Sequence, residues 1–285
     1  MNVKLAKSAG FCFGVKRAVD TVNSEIAKAT NKKIYTYGPI IHNEEVVKEF
    51  KAQGVDVIEE GTDLSGIQPG TVIIRSHGVS REVQNNLINS GFDVVDATCP
   101  FVKKIHRLVD EHSAAGYYVL VVGNPTHPEV EGIVGWINGG DYKVISNDSD
   151  LSFLENVKER KICMVSQTTY NHRKFQDLVE IITEKGYDIL VLNTICNATE
   201  ERQVEASEIS KEVDAMIVIG GKKSSNTQKL FEICKRECED TYYIQTKDDL
   251  DLSVLQSIDN VGITAGASTP NKIIEEVQQY VRDEL

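Results

Sequence analysis

Three cysteines recur at matching places along the chain, and this repetition constrains the fold more than any other feature. Cys12, Cys99 and Cys196 lie at intervals of roughly ninety residues. Each follows a short β-type run and precedes a polar segment with helical periodicity. The preceding runs are VKLAKSAGF, FDVVDAT and ILVLNTI. The chain is therefore expected to consist of three similar parts.

The segments after the cysteines follow one order in all three parts. A helical segment leads to an apolar strand that ends in glycine, within KIYTYG, YYVLVVG and AMIVIGG. A second apolar strand follows further on, within TVIIRSHG, KICMVSQTT and VGITAGAST. Alternating strands and helices are typical of parallel α/β units, whose ligand loops lie at the carboxyl ends of the strands. We expect an α/β fold of three small parallel-sheet lobes in a pseudo-threefold arrangement around a common centre.

Composition and charge exclude several classes of protein. The formal net charge is -12 and the acidic residues are spread along the chain, which disfavours nucleic acid or an anionic membrane as the main partner. No run of eighteen apolar residues occurs, and the amino terminus lacks the long apolar stretch of a secretory signal. We expect a cytoplasmic protein whose six cysteines are thiols, not disulfides.

The three repeated cysteines are the candidate metal ligands. A thiol at a strand-to-helix turn suits metal ligation, because the helix dipole favours the thiolate. Cys163 lies inside an apolar strand and is interpreted as a core residue, whereas Cys234 and Cys238 share a helix face and are interpreted as bystanders with a small chance of binding metal. Structural zinc usually uses C-x-x-C pairs, which are absent here. Three thiolates from distant lobes instead suit a cubane iron-sulfur cluster with one open iron.

Polar loops follow the apolar strands and form a candidate anion site. Serine, threonine, asparagine and histidine side chains bind phosphate oxygens together with backbone N–H groups at helix starts, and a diphosphate fits this set. The loop residues are His42, His77, His127, Thr168, Ser224, Ser225, Asn226 and Ser268. For the serine and threonine residues, helix capping is an equally good explanation. Glu129 is the nearby carboxyl group, and its role is either proton transfer or capping of the next helix.

The motifs of the chain resemble those of the 4-hydroxy-3-methylbut-2-enyl diphosphate reductase family. They are GFCFGVKRAVD, YGPIIHN, IRSHGVS, DATCPFVKK, GNPTHPEVEG, SQTT, ICNATEERQ, GGKKSSNT and TAGAS. The resemblance covers all three parts in the order of the family. It implies an iron-sulfur enzyme that catalyses the last step of the non-mevalonate isoprenoid route. In that step an allylic alcohol diphosphate loses its hydroxyl group as water and gives isopentenyl and dimethylallyl diphosphates.

The resemblance also implies a role for each site residue. Cys12, Cys99 and Cys196 would hold one [4Fe-4S] cluster, Thr168 would orient the substrate hydroxyl, and Glu129 would relay protons. The diphosphate ligands would be His42, His77, His127, Ser224, Ser225, Asn226 and Ser268. The electron donor would be a ferredoxin or a flavodoxin. The implied lobes are residues 14–98, 99–195 and 196–285, with the amino-terminal strand in residues 1–13 packing on the third.

Two other classes of function use the same residues differently. A metal-binding or redox-sensing module would need the three cysteines but not the many polar loops. A transferase with a cysteine nucleophile would use Cys99 beside Pro100 and leave the other two cysteines without a role.

Overall fold

The structure is a computed structural model that describes residues 2–28, 31–147, 151–256 and 258–284. The chain divides into two compact units. The first unit comprises Met1–Lys16, Ile41–Glu49 and Asn197–Leu285, and the second comprises Arg17–Ile40 and Phe50–Cys196. Each unit is described by itself below.

The described residues form twelve strands in three four-stranded sheets, and every strand pair is parallel. The second unit holds two of the sheets. Their strands are β2 (Ile34–Tyr37), β3 (Val55–Ile58), β4 (Thr71–Ile74), β5 (Asp93–Asp96), β6 (Tyr118–Val122), β7 (Tyr142–Ile145), β8 (Ile162–Ser166) and β9 (Ile189–Val191). The first unit holds the third sheet, made of β1 (Asn2–Leu5), β10 (Ala215–Ile219), β11 (Thr241–Ile244) and β12 (Asn260–Ala265).

The strand order is the same in all three sheets. It is β3-β2-β4-β5 in one, β7-β6-β8-β9 in the next and, read from β11, β11-β10-β12-β1 in the third. The strand before each repeated cysteine is thus an edge strand: β1, β5 or β9. Strand β1 pairs with β12, so the third sheet contains strands from both ends of the chain. The α/β class with three similar parallel sheets is confirmed, and the lobe boundaries at residues 98 and 195 stay a prediction.

The described residues form nine α-helices, of which five connect two parallel strands of one sheet, three lead from one sheet to the next, and the last follows β12. They are α1 (Phe13–Ala27), α2 (Glu44–Ala52), α3 (Arg81–Asn89), α4 (Pro100–Ala114), α5 (Pro128–Val134), α6 (His172–Glu184), α7 (Asn197–Ser210), α8 (Ser225–Glu237) and α9 (Asn271–Glu284). Several begin at side-chain caps. Ser80, Asn171 and Ser224 each accept a hydrogen bond from a backbone N–H three residues later, which satisfies one orphan donor of the first turn.

The central strands are buried on both faces, which explains why their sequences are continuous apolar runs. In β6, Leu120 and Val122 pack in one cluster with Met164, whereas Val119 and Val121 pack on the other face with Cys163. The third sheet is covered in the same way by two clusters. Strands β3, β7 and β11 are edge strands of four residues that were not expected from the sequence. Among the described helices, none combines the length and apolarity needed to cross a membrane.

Candidate functional site

The loops that carry the predicted site residues follow neighbouring parallel strands. In each sheet the two central strands are adjacent: β2 with β4, β6 with β8, and β10 with β12. Because both strands of a pair run in the same direction, the loops after them lie at the same edge. Pairing within each sheet therefore brings together loops that are distant in sequence.

The second unit contains a close contact between Glu129 and Thr168. Glu129 lies in the first turn of α5 after strand β6, and Thr168 follows strand β8. One carboxylate oxygen of Glu129 accepts the backbone N–H of Thr168 at 2.6 Å, and the other accepts its hydroxyl at 2.7 Å. The two residues predicted to be catalytic are thus joined by two hydrogen bonds.

Glu129 has the properties of a proton carrier. Its side chain is buried, with an exposed fraction of 1%, and burial raises its pKa to about 7 from the ordinary 4.5. The two hydrogen bonds from Thr168 act in the opposite direction, because they stabilise the carboxylate. The result is a carboxyl group that holds and releases a proton near neutral pH.

His127 and His77 lie side by side in the same unit. Their ring centroids are 5.4 Å apart, with an interplanar angle of 84°. His127 is the N-cap residue of α5, and its Nδ1 accepts the backbone N–H of Glu129 at 3.1 Å. That bond makes Nδ1 the acceptor, so a neutral His127 carries its proton on Nε2. In this tautomer Nε2 is a donor suited to a phosphate oxygen.

Each repeated cysteine is anchored to a loop that carries a predicted ligand. The backbone N–H of Cys99 donates to Ser76 O at 2.9 Å, next to His77, and that of Cys196 donates to Thr168 O at 3.0 Å. In the first unit, the N–H of Cys12 donates to Ala267 O at 3.2 Å, next to Ser268.

Each of the three anchored thiols lies at the start of a helix. Cys99 is the N-cap residue of α4, Cys12 directly precedes α1 and Cys196 directly precedes α7. All three are partly exposed, and none of the six cysteines, each within a described range, is in a disulfide. The partial positive charge at a helix start favours the thiolate that a metal needs.

The other three cysteines differ in burial and in acidity. Burial raises the pKa of Cys163 to about 12 and that of Cys234 to about 11, and it also raises the pKa of Cys238. Thiols of this kind stay protonated and pack as small apolar groups. The interpretation of Cys163 as a core residue is confirmed, since it lies in the cluster beneath β6 and β8.

In the first unit, the loops after β10 and β12 meet at Ser268. Its hydroxyl donates to the backbone oxygen of His42 at 3.1 Å and lies 3.4 Å from Ser224 Oγ. Ser224 caps α8, so Ser225 and Asn226 occupy the first turn of that helix. The first N–H groups of a helix have no partner inside it, and they bind anions.

Asn226 is a buried side chain of this unit that is able to bind a ligand. Its exposed fraction is 4%, and neither polar atom of its side chain has a hydrogen-bond partner among the described residues. A buried amide without a partner costs about 1–3 kcal/mol. A ligand with acceptor oxygen atoms would satisfy the Nδ2 donor of this amide.

The predicted site residues are divided between the two units. The first unit contains Cys12, His42, Ser224, Ser225, Asn226 and Ser268, and the second contains His77, Cys99, His127, Glu129, Thr168 and Cys196. Within each unit, the sheets gather residues that the sequence places far apart.

Fold and residues together define an α/β protein of three repeated parallel sheets, in which each repeat contributes one thiol beside a polar loop. The chain belongs to the LytB protein family, whose sequence profile matches residues 3–282. Members of this family are iron-sulfur enzymes. Of the three classes of function that the sequence left open, membership of this family favours the reductase over a sensor or a transferase.

Individual relatives resemble the chain over nearly its whole length. The 4-hydroxy-3-methylbut-2-enyl diphosphate reductase of Caldanaerobacter subterraneus subsp. tengcongensis is 44% identical over 284 residues, which is 99% of this chain and 97% of the relative. A solved structure of (E)-4-hydroxy-3-methyl-but-2-enyl diphosphate reductase, the terminal enzyme of the non-mevalonate pathway, is 41% identical. It matches with a TM-score of 0.71 over 99% of this chain and 100% of the other.

A second solved structure is the E-1-hydroxy-2-methyl-but-2-enyl-4-diphosphate reductase from Plasmodium falciparum. It is 29% identical and has a TM-score of 0.89, over 99% of this chain and 87% of the other. The resemblance that the motifs indicated is therefore confirmed by sequence and by structure.

Proposed function

We propose that this chain is a 4-hydroxy-3-methylbut-2-enyl diphosphate reductase that uses one [4Fe-4S] cluster. The reaction consumes two electrons and two protons. It breaks the bond between carbon and the hydroxyl oxygen, releases water, and gives isopentenyl or dimethylallyl diphosphate. Membership of the family and identities of 44–46% to reductases support the activity.

The observation that carries the proposal is the repeated anchoring of a thiol to a ligand loop. Cys12, Cys99 and Cys196 each donate a backbone hydrogen bond to the loop that follows the second central strand of a sheet. A reductive dehydroxylation needs a metal centre and a substrate site next to each other, and this arrangement pairs one thiol with one ligand loop in every repeat.

The donor set fits a [4Fe-4S] cluster. A cluster iron is held by a thiolate, and the three partly exposed thiols at helix starts suit that bond better than the three buried ones. We assign Cys12, Cys99 and Cys196 as the ligands. When bound, a cluster with three protein ligands supplies electrons and one iron open to a substrate oxygen.

The polar loops are assigned to the diphosphate. His77 and His127 offer ring nitrogens from the second unit. The first unit offers His42, Ser224, Ser225, Asn226 and Ser268. The unsatisfied amide of Asn226 and its place in the first turn of α8, where backbone N–H groups favour an anion, support this assignment. Neutral donors suit the site, because each hydrogen bond to an anionic phosphate oxygen stabilises the bound charge.

Glu129 and Thr168 are assigned to proton delivery. The Thr168 hydroxyl lies 2.7 Å from a Glu129 oxygen, so a proton held on Glu129 can pass through that hydroxyl to the oxygen that leaves. A pKa of about 7 lets Glu129 recover its proton between turnovers. Thr168 would thereby both orient the substrate hydroxyl and connect it to the proton source.

The partners follow from the reaction. A small protein that carries electrons at low potential, a ferredoxin or a flavodoxin, would supply the two electrons. We propose that the protein works in the cytoplasm, where these donors and the reduced thiols are maintained.

The test is iron and labile-sulfide analysis combined with turnover. The protein and the variants Cys12→Ala, Cys99→Ala and Cys196→Ala are purified without oxygen. The wild type should bind about four irons per chain and convert the substrate to both products with reduced methyl viologen. Each variant should bind less iron and lose at least ~100-fold in activity.

Matched controls are Cys163→Ala and Cys234→Ala, which remove buried thiols from the core. Both should keep the iron content and the activity of the wild type. Equal iron in all variants would refute the ligand assignment. A loaded wild type that leaves the substrate unchanged would refute the activity.

A further inference from the structure

His106 is a buried histidine of the second unit that no part of the proposed chemistry uses. It lies in the middle of α4 and is 5% exposed. Its Nε2 atom has no hydrogen-bond partner among the described residues. A buried, unsatisfied imidazole is costly to maintain, and an apolar residue would fill the same space without that cost.

The edge of the His106 ring lies against two glycines. A Cβ atom built on Gly78 would be 2.8 Å from His106 Cε1, and one built on Gly132 would be 3.5 Å from Nε2. Gly78 directly follows His77, and Gly132 lies on α5, the helix that His127 caps. The ring therefore lies against both segments that carry the histidines assigned to the diphosphate, and the two segments also approach each other directly, since a Cβ on Gly132 would be 3.7 Å from His77 O.

Trp136 covers the face of the same ring. The two rings are stacked, with centroids 5.2 Å apart and an interplanar angle of 13°. The indole Nε1–H of Trp136 donates to Val79 O at 2.9 Å, one residue beyond Gly78. The Arg81 guanidinium lies 4.9 Å from the Trp136 centroid and also pairs with Asp110 of α4 at 2.8 Å.

These contacts link three segments of the second unit: the turn of residues 76–79, helix α4 and helix α5. Gly78 has a φ of +73°, so the turn that carries His77 requires a backbone conformation that only glycine adopts easily. The His106 ring fills the space that this glycine leaves. The packing thus fixes the position of the turn relative to α5.

We infer that His106 is a positioning residue, which sets the separation of His77 and His127 through its contacts with Gly78, Gly132 and Trp136. This inference rests on the proposed function, since it takes the two histidines as diphosphate ligands. It predicts that a change at His106 weakens diphosphate binding although its side chain contacts no phosphate.

The charge of His106 does not contribute to this role. Burial lowers its pKa to about 4, so the ring is neutral near pH 7. Groups that act on it are Asp96 and Lys103, whose effects are opposite in direction and smaller than that of burial. Loss of affinity on substitution would therefore reflect geometry and not a lost positive charge.

The experiment measures the dissociation constant of inorganic pyrophosphate by calorimetry on the anaerobically purified holoenzyme. The variants are His106→Ala, His77→Ala and the double variant. We expect each single change to weaken binding about tenfold. The double variant should be no weaker than His77→Ala, instead of about a hundredfold weaker than the wild type, because without His77 the separation that His106 sets no longer affects binding. Turnover of His106→Ala with methyl viologen should show a raised KM and a kcat within about threefold of the wild type.

His112→Ala is the matched control. It removes a histidine from the same helix whose Nδ1 lies 2.8 Å from Leu108 O and whose ring lies against Tyr117. Its affinity for pyrophosphate should equal that of the wild type. If His106→Ala does not fold, His106→Gln serves in its place, because glutamine has a similar volume but cannot stack on Trp136.

The outcomes are distinct. Additive losses in the double variant, or unchanged affinity in the His106 variants, would overturn the positioning role and leave the proposed function intact. Failure of the wild type to bind pyrophosphate would overturn the assigned diphosphate site, and the inference with it.

Discussion

Glu129 accepts two hydrogen bonds from Thr168, one from the backbone N–H at 2.6 Å and one from the hydroxyl at 2.7 Å. The backbone bond fixes the carboxyl group, and the hydroxyl bond leaves a route for a proton. Burial keeps this carboxyl group close to half-protonated near pH 7.

Glu129→Gln should abolish proton delivery while preserving the shape of the site. Because an amide cannot relay a proton, we expect kcat to fall about 10²–10⁴-fold. Pyrophosphate affinity and iron content should stay close to those of the wild type. Steady-state kinetics with reduced methyl viologen measure the change. Glu131→Gln, two residues further along α5, is the control. A kcat for Glu129→Gln within threefold of the wild type would exclude Glu129 as the proton carrier.

Glu129→Gln should also make the protein more stable than the wild type at high pH. The carboxyl pKa is about 7 in the folded state and 4.5 as the ordinary value. Below pH 4.5 both states are protonated, and burial carries no ionisation penalty. As pH rises from 4.5 to 7, the unfolded state releases its proton first. The free energy of unfolding of the wild type therefore falls, by about 3 kcal/mol in total.

Denaturant unfolding of wild type and Glu129→Gln at pH 5 and at pH 8 tests this difference. The variant should gain about 1–3 kcal/mol over the wild type on going to pH 8, because only the wild type carries an ionisable group at this position. A difference in stability that does not depend on pH would contradict the raised pKa.

Thr168→Val should change the pH dependence of turnover as well as its rate. Removal of the hydroxyl takes away a hydrogen bond that stabilises the carboxylate, so the pKa of Glu129 should rise further. The limb of the kcat profile that reports Glu129 should move to higher pH, and kcat should fall at least about tenfold. Thr169→Val changes the next residue and should leave both unchanged. An unshifted profile in Thr168→Val would argue against the pair acting together.

Asn226→Ala should weaken pyrophosphate binding without lowering the stability of the protein. The buried amide of Asn226 has no hydrogen-bond partner among the described residues, so its removal relieves an unsatisfied group. We expect equal or greater thermal stability and an affinity for pyrophosphate about tenfold lower. Asn171→Ala is the contrast, since Asn171 caps α6 by accepting the Lys174 N–H at 3.0 Å. That variant should lose about 1 kcal/mol of stability with unchanged affinity. Reduced stability in Asn226→Ala would contradict its role as a residue held for a ligand.

The sequence was informative where long apolar strands and repeated motifs occur. Strands β4, β6, β8, β10 and β12 are buried apolar runs. Their positions along the chain could be predicted, because the central strands of a parallel sheet are apolar on both faces. Edge strands such as β3 (VDVI) and β11 (TYYI) were missed, because neither a repeated cysteine nor a polar ligand motif follows them. The site residues came from the polar loops and from the resemblance, and their assignment stays a proposal.

His106 shows what sequence patterns do not reveal. Nothing in the sequence indicated that its ring would lie against Gly78 and Gly132, because that contact joins α4 to two segments distant along the chain.

The sequence by itself determined the class of fold, the threefold repetition and the family, because periodicity and local motifs can be recognised from residues that are close in sequence. Only the tertiary structure decided which strand completes each sheet, that Thr168 donates to both oxygens of Glu129, and that burial raises the pKa of that group. Those properties depend on distances between residues far apart in the chain and on the exclusion of water, and neither exists until the sheets have formed.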